Sequence, residues 1–71
     1  MPTVSYNPLF KRLIDKGMKK SDLANQLKLS SSTVAKLSRQ EYVSMDVLVR
    51  ICHLLDCQIS DLVEVLPEQF R

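Results

Sequence analysis

The chain contains no tryptophan, a single glycine (Gly17) and a single histidine (His53). With one glycine there is no Gly-rich loop to cradle a phosphate chain, which removes the common nucleotide-binding signatures. With one histidine and no carboxylate pair on a shared apolar cleft, general acid–base chemistry has no obvious seat. The hydroxyl run Ser30-Ser31-Ser32-Thr33 has no activating base near it in sequence, so it reads as a helix start and not as a nucleophile. An enzyme is therefore not expected. Cysteine is also sparse: Cys52 and Cys57 stand five apart, in a helical pattern and at its exit. A disulfide there would close a very small loop and strain the helix end. Zinc is disfavoured too, because Cys52, His53 and Cys57 offer three ligands where a structural site takes four. Adjacent helical residues moreover point ~100° apart. Reduced core thiols are expected, with no metal and no cofactor. No apolar run approaches the ~20 residues that span a bilayer, and no signal-peptide pattern appears, so the expectation is a cytoplasmic protein without a membrane role. Low-complexity segments and internal repeats are absent.

What is present fits one small helical domain. The chain has 71 residues, 45% of them apolar, near the lower limit for a self-sufficient core. Two Tyr and two Phe are the whole aromatic complement, so the core should be aliphatic. The net charge of +2 permits a polyanionic partner without demanding one, and distribution decides the matter. Through residue 40 there are eight Lys and Arg against two Asp, a balance of +6; beyond it two Arg face six acids, a balance of −4. One end is built for a polyanion.

Residues 1–6 alternate weakly at Val4 and Tyr6, as a tail or a short strand, with a partner chain as one candidate for pairing. Asn7-Pro8 signals a helix start, with Asn as cap and Pro in the first turn. The first helix should run to about Lys16 with Leu9, Phe10, Leu13 and Ile14 inward, stopped by Gly17, with Met18 plugging the core. A second helix from Lys19 or Lys20 to Lys28 carries Leu23 and Leu27 on one face, and a third, from Ser31 to about Arg39, carries Val34 and Leu37. Ser30 is its expected N-cap, and Ala24 is small enough to stand where the two helices cross. An irregular turn should follow over residues 40–43. Ser44 caps a fourth helix whose stripe includes Met45, Leu48, Ile51, Cys52 and Leu55. A fifth helix, from Gln58 or Ser60 to Leu66, should end at Pro67. No strand pattern competes after residue 7, so the expectation is an all-α, five-helix domain.

Two short helices joined by the tight turn Lys28-Leu29-Ser30 form a helix-turn-helix, in which the second helix is offered to the DNA major groove. The segment GMKKSDLANQLKLSSSTVAKL, with SMDVLVRICHLLDCQISDLVEVL behind it, resembles the phage-repressor (Cro/XRE) class of helix-turn-helix regulators over residues 7–66. The resemblance implies a lambda-repressor-like DNA-binding domain, flanked by an arm (1–6) and a tail (67–71). That family usually has Gln where Lys20 stands, Gly where Lys28 stands and Gly near Gln40. Lys28 is the departure with a structural consequence, since its turn position often takes a positive φ.

On the third helix, Val34 and Leu37 face inward, which turns Ser31, Ser32, Ala35 and Lys36 outward. By resemblance Ser31, Ser32 and Lys36 match positions that meet base edges, with Lys36 within reach of guanine O6 or N7 and Ala35 suited to a thymine methyl. Lys20 holds the family's phosphate-clamping position, and Lys19, Thr33 and Arg39 are further phosphate candidates. Glu41 opposes this set, because a carboxylate near the end of the third helix repels phosphate. Leu62, Val65, Leu66 and Phe70 offer more apolar surface than one small helix hides, which points to a homodimer through the fifth helix and the tail. The function expected is sequence-specific binding of double-stranded DNA by a repressor-like regulator, with no small-molecule effector evident. The alternative is a protein-interaction or antitoxin-type module on the same fold.

Overall fold

Each helix of this chain starts on a side-chain oxygen or a proline and stops on a left-handed residue, and that punctuation sets the architecture. The computed structural model describes residues 3–67. Helices α1 (Asn7–Asp15), α2 (Lys20–Leu27), α3 (Ser31–Ser38) and α4 (Met45–Leu55) are framed by two short strands, β1 (Val4–Ser5) and β2 (Glu64–Val65). Ser30 Oγ accepts the Thr33 N–H at 3.2 Å and Ser44 Oγ accepts the Val47 N–H at 3.3 Å, so both serines cap as expected. At α2 the reciprocal arm of a capping box is present: Asp22 Oδ2 accepts the Lys19 N–H at 2.9 Å. At α1 the expected cap shifts by one place. Asn7 is already helical, and its N–H donates to Ser5 Oγ at 3.2 Å, with Pro8 behind it.

All four helices end in the same way. Residues Gly17, Lys28, Gln40 and Asp56 have φ of 68°, 56°, 61° and 54°. The next residue then reaches back across the last turn. Met18 N–H meets Leu13 O at 2.9 Å, Leu29 meets Ala24 at 3.0 Å, Glu41 meets Lys36 at 2.8 Å and Cys57 meets Cys52 at 3.1 Å. These are Schellman closures, each built on a left-handed residue, and only the first of them uses glycine. Lys28 adopts the positive φ expected of it. In three of the four, the residue after the left-handed position is Met18, Leu29 or Cys57, and each packs on the core. In the fourth it is Glu41.

The core joins Tyr6 of the arm, Leu9 and Leu13 of α1, Leu23, Leu37, three residues of α4 and Leu62. Two residues expected inside are outside: Ile14 is 75% exposed and Met45 is 61% exposed. Ile14 lies in the last turn of α1 and Met45 is the first residue of α4, at the ends of their apolar stripes. Cys52 and Cys57 are free thiols, half-buried against the core, and burial pushes the Cys57 thiol above its ordinary value. No helix among the described residues is long and apolar enough to cross a membrane.

The fifth helix does not form. Only a 3₁₀ turn, Ile59–Asp61, occupies its start, and the chain then extends into β2, which pairs antiparallel with β1 (Val4 opposite Val65, Ser5 opposite Glu64). The domain is thus helical with a small intrachain sheet, and a strand does follow residue 7. Three features favour this outcome. Leu62 is fully buried, and its carbonyl accepts the Leu9 N–H at 3.2 Å, one of the free donors of the first turn of α1. A continuing helix would have turned that carbonyl to residue 66. Val63 and Val65 are β-branched and suit a strand, and Pro67 biases Leu66 away from helical backbone. The arm therefore pairs with its own chain.

Candidate nucleic-acid interface

The helix-turn-helix is assembled from α2, the turn Lys28-Leu29-Ser30 and α3. Leu23 and Leu37 are buried beneath it, with Leu27, Leu29 and Val34 partly so. Arg50 of α4 locks the turn from below: its Nη2 donates to the Leu27 carbonyl, while Nη1 lies 3.7 Å from Asp46 Oδ2. A guanidinium on the free carbonyls at a helix C-terminus is favourable both as a donor and as a charge. The Asp46–Arg50 spacing of four is legible on one helix, but the bond to Leu27 joins residues far apart in sequence.

Ser31, Ser32 and Lys36 are exposed on α3, as their outward register requires, whereas Thr33 and Ala35 are half-buried. The hydroxyls at the helix start are knitted together. Ser30 Oγ lies 3.0 Å from Ser32 Oγ and 3.0 Å from Thr33 Oγ1, besides accepting the Thr33 N–H. Ser32 and Thr33 therefore share their hydroxyls with the cap. Ser31 has no such bond among the described residues and is exposed.

Lys20 is fixed by three helices at once. It opens α2, its Nζ lies 4.3 Å from the centroid of the Phe10 ring of α1, and it donates to Ser38 Oγ of α3 at 3.4 Å. The ammonium thus rests at the surface near the end of α3. Lys19 is exposed one residue before it. Among the described residues, no carboxylate pairs with Lys19, Lys20 or Lys36, whereas Arg39 Nε is 2.8 Å from Glu41 Oε2. Lys20 and Lys36 are thus both without a carboxylate partner among the described residues, one at Ser38 and one on the exposed register of α3, whereas Arg39 is engaged.

Sequence reasoning missed the support behind this surface. The buried Tyr6 donates its N–H to Gln40 Oε1 at 2.6 Å and its hydroxyl to the Glu41 carbonyl at 2.6 Å. Gln40 Nε2 also donates to Asn7 Oδ1 at 3.4 Å. Burial raises the Tyr6 phenol above its ordinary value. The arm thereby holds the turn that closes α3. Ser38 was missed as well, since its neighbour Lys20 lies on another helix and no local spacing signals the pair.

Residues 9–68 match the family model of the Cro/C1-type HTH DNA-binding domain. The chain belongs to this family. The crystal structure of the transcriptional regulator VanUg (form II) is similar to this Cro/C1-type domain at 50% identity and a TM-score of 0.90, over 93% of this chain and 88% of that one. A search of curated proteins returned no match. Membership of a DNA-binding family agrees with an exposed α3 and unpaired lysines beside it.

Proposed function

We propose that this chain is a sequence-specific regulator of transcription, repressor-like, that inserts α3 into the major groove of double-stranded DNA and works as a homodimer. The observation that carries the reading is the exposure of Ser31, Ser32 and Lys36 on the second helix of a helix-turn-helix, with Lys20 resting on Ser38 at the end of that helix. Ser31, Ser32, Ala35 and Lys36 are assigned to base edges. Lys19, Lys20, Thr33 and Arg39 are assigned to phosphates, which orient the domain without carrying sequence information. The similarity to a transcriptional regulator supports the regulatory role.

Selection from random duplexes by the purified protein defines the preferred site, and two variants then test the assignment. Lys20→Ala should weaken specific and random duplexes almost equally and lower the salt dependence by about one unit of slope. Lys36→Ala should cost about 1–3 kcal/mol on the preferred site, much less on random DNA, and relax preference at one position. Helicity should be unchanged in both. Lys20→Ala should lose no more than about 1 kcal/mol of stability, the contact with Phe10. If both variants bind every duplex as the parent does, α3 does not read the groove and the protein-interaction role replaces this one.

A further inference from the structure

The four helix ends differ in one respect. Where Met18, Leu29 and Cys57 fold an apolar side chain onto the core, the helix proposed to read DNA has Glu41. An acid at a helix C-terminus faces the negative end of the helix dipole, so the placement does nothing for the stability of α3. Its position is nevertheless firmly determined. The Glu41 N–H is held by the Lys36 carbonyl at 2.8 Å and its carbonyl by the Tyr6 hydroxyl at 2.6 Å, and the preceding Gln40 is held by the Tyr6 N–H at 2.6 Å. The carboxylate leaves this fixed backbone at the surface and meets Arg39 Nε at 2.8 Å, with the two side chains 39% and 63% exposed. A departure from a motif kept at every other helix end, held in place by several hydrogen bonds, calls for a reason other than folding.

We propose that Glu41 attenuates DNA binding by competing with backbone phosphate for Arg39, so that the ion pair at the end of α3 sets both the affinity and the salt sensitivity of the domain. The proposal rests on the DNA-binding reading above. The free protein presents a neutral pair where an unopposed guanidinium would present a phosphate site. DNA binding must therefore separate Arg39 from Glu41 or tolerate a carboxylate close to the phosphate, and either route lowers affinity. An exposed pair of this kind is weakly held and screened by salt, so the exchange is within reach of a phosphate.

The experiment measures binding of the parent, Glu41→Gln, Arg39→Ala and the double variant to one random duplex over a range of salt. Parent binding with a salt-dependent affinity establishes the underlying reading; absence of binding overturns that reading and this inference with it. Given parent binding, Glu41→Gln should bind about three- to tenfold more tightly at low salt, with a salt slope steeper by up to about one unit, because Arg39 then holds its phosphate without competition. Arg39→Ala should bind more weakly than the parent. In the double variant the gain from Glu41→Gln should disappear, and its slope should be no steeper than that of the parent. A Glu41→Gln variant that binds like the parent or more weakly overturns the proposal. So does a double variant that keeps the gain, since Glu41 would then act by repulsion alone. Melting of the Glu41→Gln variant should match the parent, because its backbone bonds do not involve the carboxylate.

Discussion

At the scale of single residues, three non-glycine side chains accept a left-handed backbone, and they do so for different returns. A left-handed conformation costs a non-glycine residue roughly 1–2 kcal/mol. Lys28 is exposed and its side chain makes no hydrogen bond or ion pair among those of the described residues. Lys28→Gly should therefore stabilise the domain by about 0.5–1 kcal/mol after the greater chain entropy of glycine is counted, raising Tm by ~2–8 °C. Gln40 has nearly the same φ, but its side chain accepts the Tyr6 N–H and reaches Asn7. Gln40→Gly relieves the same backbone strain and removes the partner of a donor on a buried residue, a loss of about 1–3 kcal/mol. The net change should be a destabilisation of about 1–2 kcal/mol. Thermal or urea melts of the two variants should thus move in opposite directions, and a common direction would show that side-chain bonding does not distinguish the sites. The positive φ at Lys28 was legible from its place in the motif. The family's Gly near Gln40 carried the same hint for the second site, and Asp56 belongs to a residue type that tolerates this region.

At the scale of elements, the four helices were legible because each combines an apolar period of three and four with a local start or stop signal. The exposure of Ser31, Ser32 and Lys36 was legible for the same reason, since the register of Val34 and Leu37 turns them outward, although Ala35, expected with them, is half-buried. The C-terminal segment was not legible. Ile59, Leu62, Val63 and Leu66 satisfy a helical period, yet the outcome depends on the Leu62 carbonyl meeting α1 and on β1 offering a strand edge, both distant in sequence. Paired substitutions separate the expected fifth helix from the observed turn and strand. Leu62→Ala should cost about 2–5 kcal/mol, because the side chain is fully buried in the core. Val65→Ala should stay within about 0.5 kcal/mol, since Val65 is 77% exposed. Urea unfolding at low protein concentration measures both, and similar small losses would return Leu62 to the surface of a helix.

At the scale of the whole molecule, the proposed reading gives one monomer one short helix for the groove, with Ser31, Ser32 and Lys36 as the exposed groups assigned to bases. On the proposed reading so small a set discriminates weakly among sites, and a second copy would supply the missing specificity through effective concentration. Any dimer contact would differ from the one expected of a fifth helix, because Leu62 is in the core and Phe70 lies outside the described residues. Val65 and Leu66 remain, 77% and 37% exposed. The ladder shows how they are presented. Leu66 N–H donates to the Thr3 carbonyl at 2.7 Å, which makes Val4 and Val65 the non-hydrogen-bonded pair beside it. Backbone groups of Val65 consequently point away from β1 and leave an open strand edge next to exposed apolar side chains. If two copies associate there with two-fold symmetry, their α3 helices should read half-sites about 34 Å apart, one turn of DNA. Duplexes with two copies of the selected half-site at that spacing should bind more tightly than duplexes in which one is displaced by half a turn. Val65→Ser should abolish this preference and shift sedimentation towards the monomer, while a duplex with a single half-site should bind parent and variant equally. Equal affinity of the parent for both spacings, with monomeric sedimentation on and off DNA, would remove the dimer and leave each domain to bind alone.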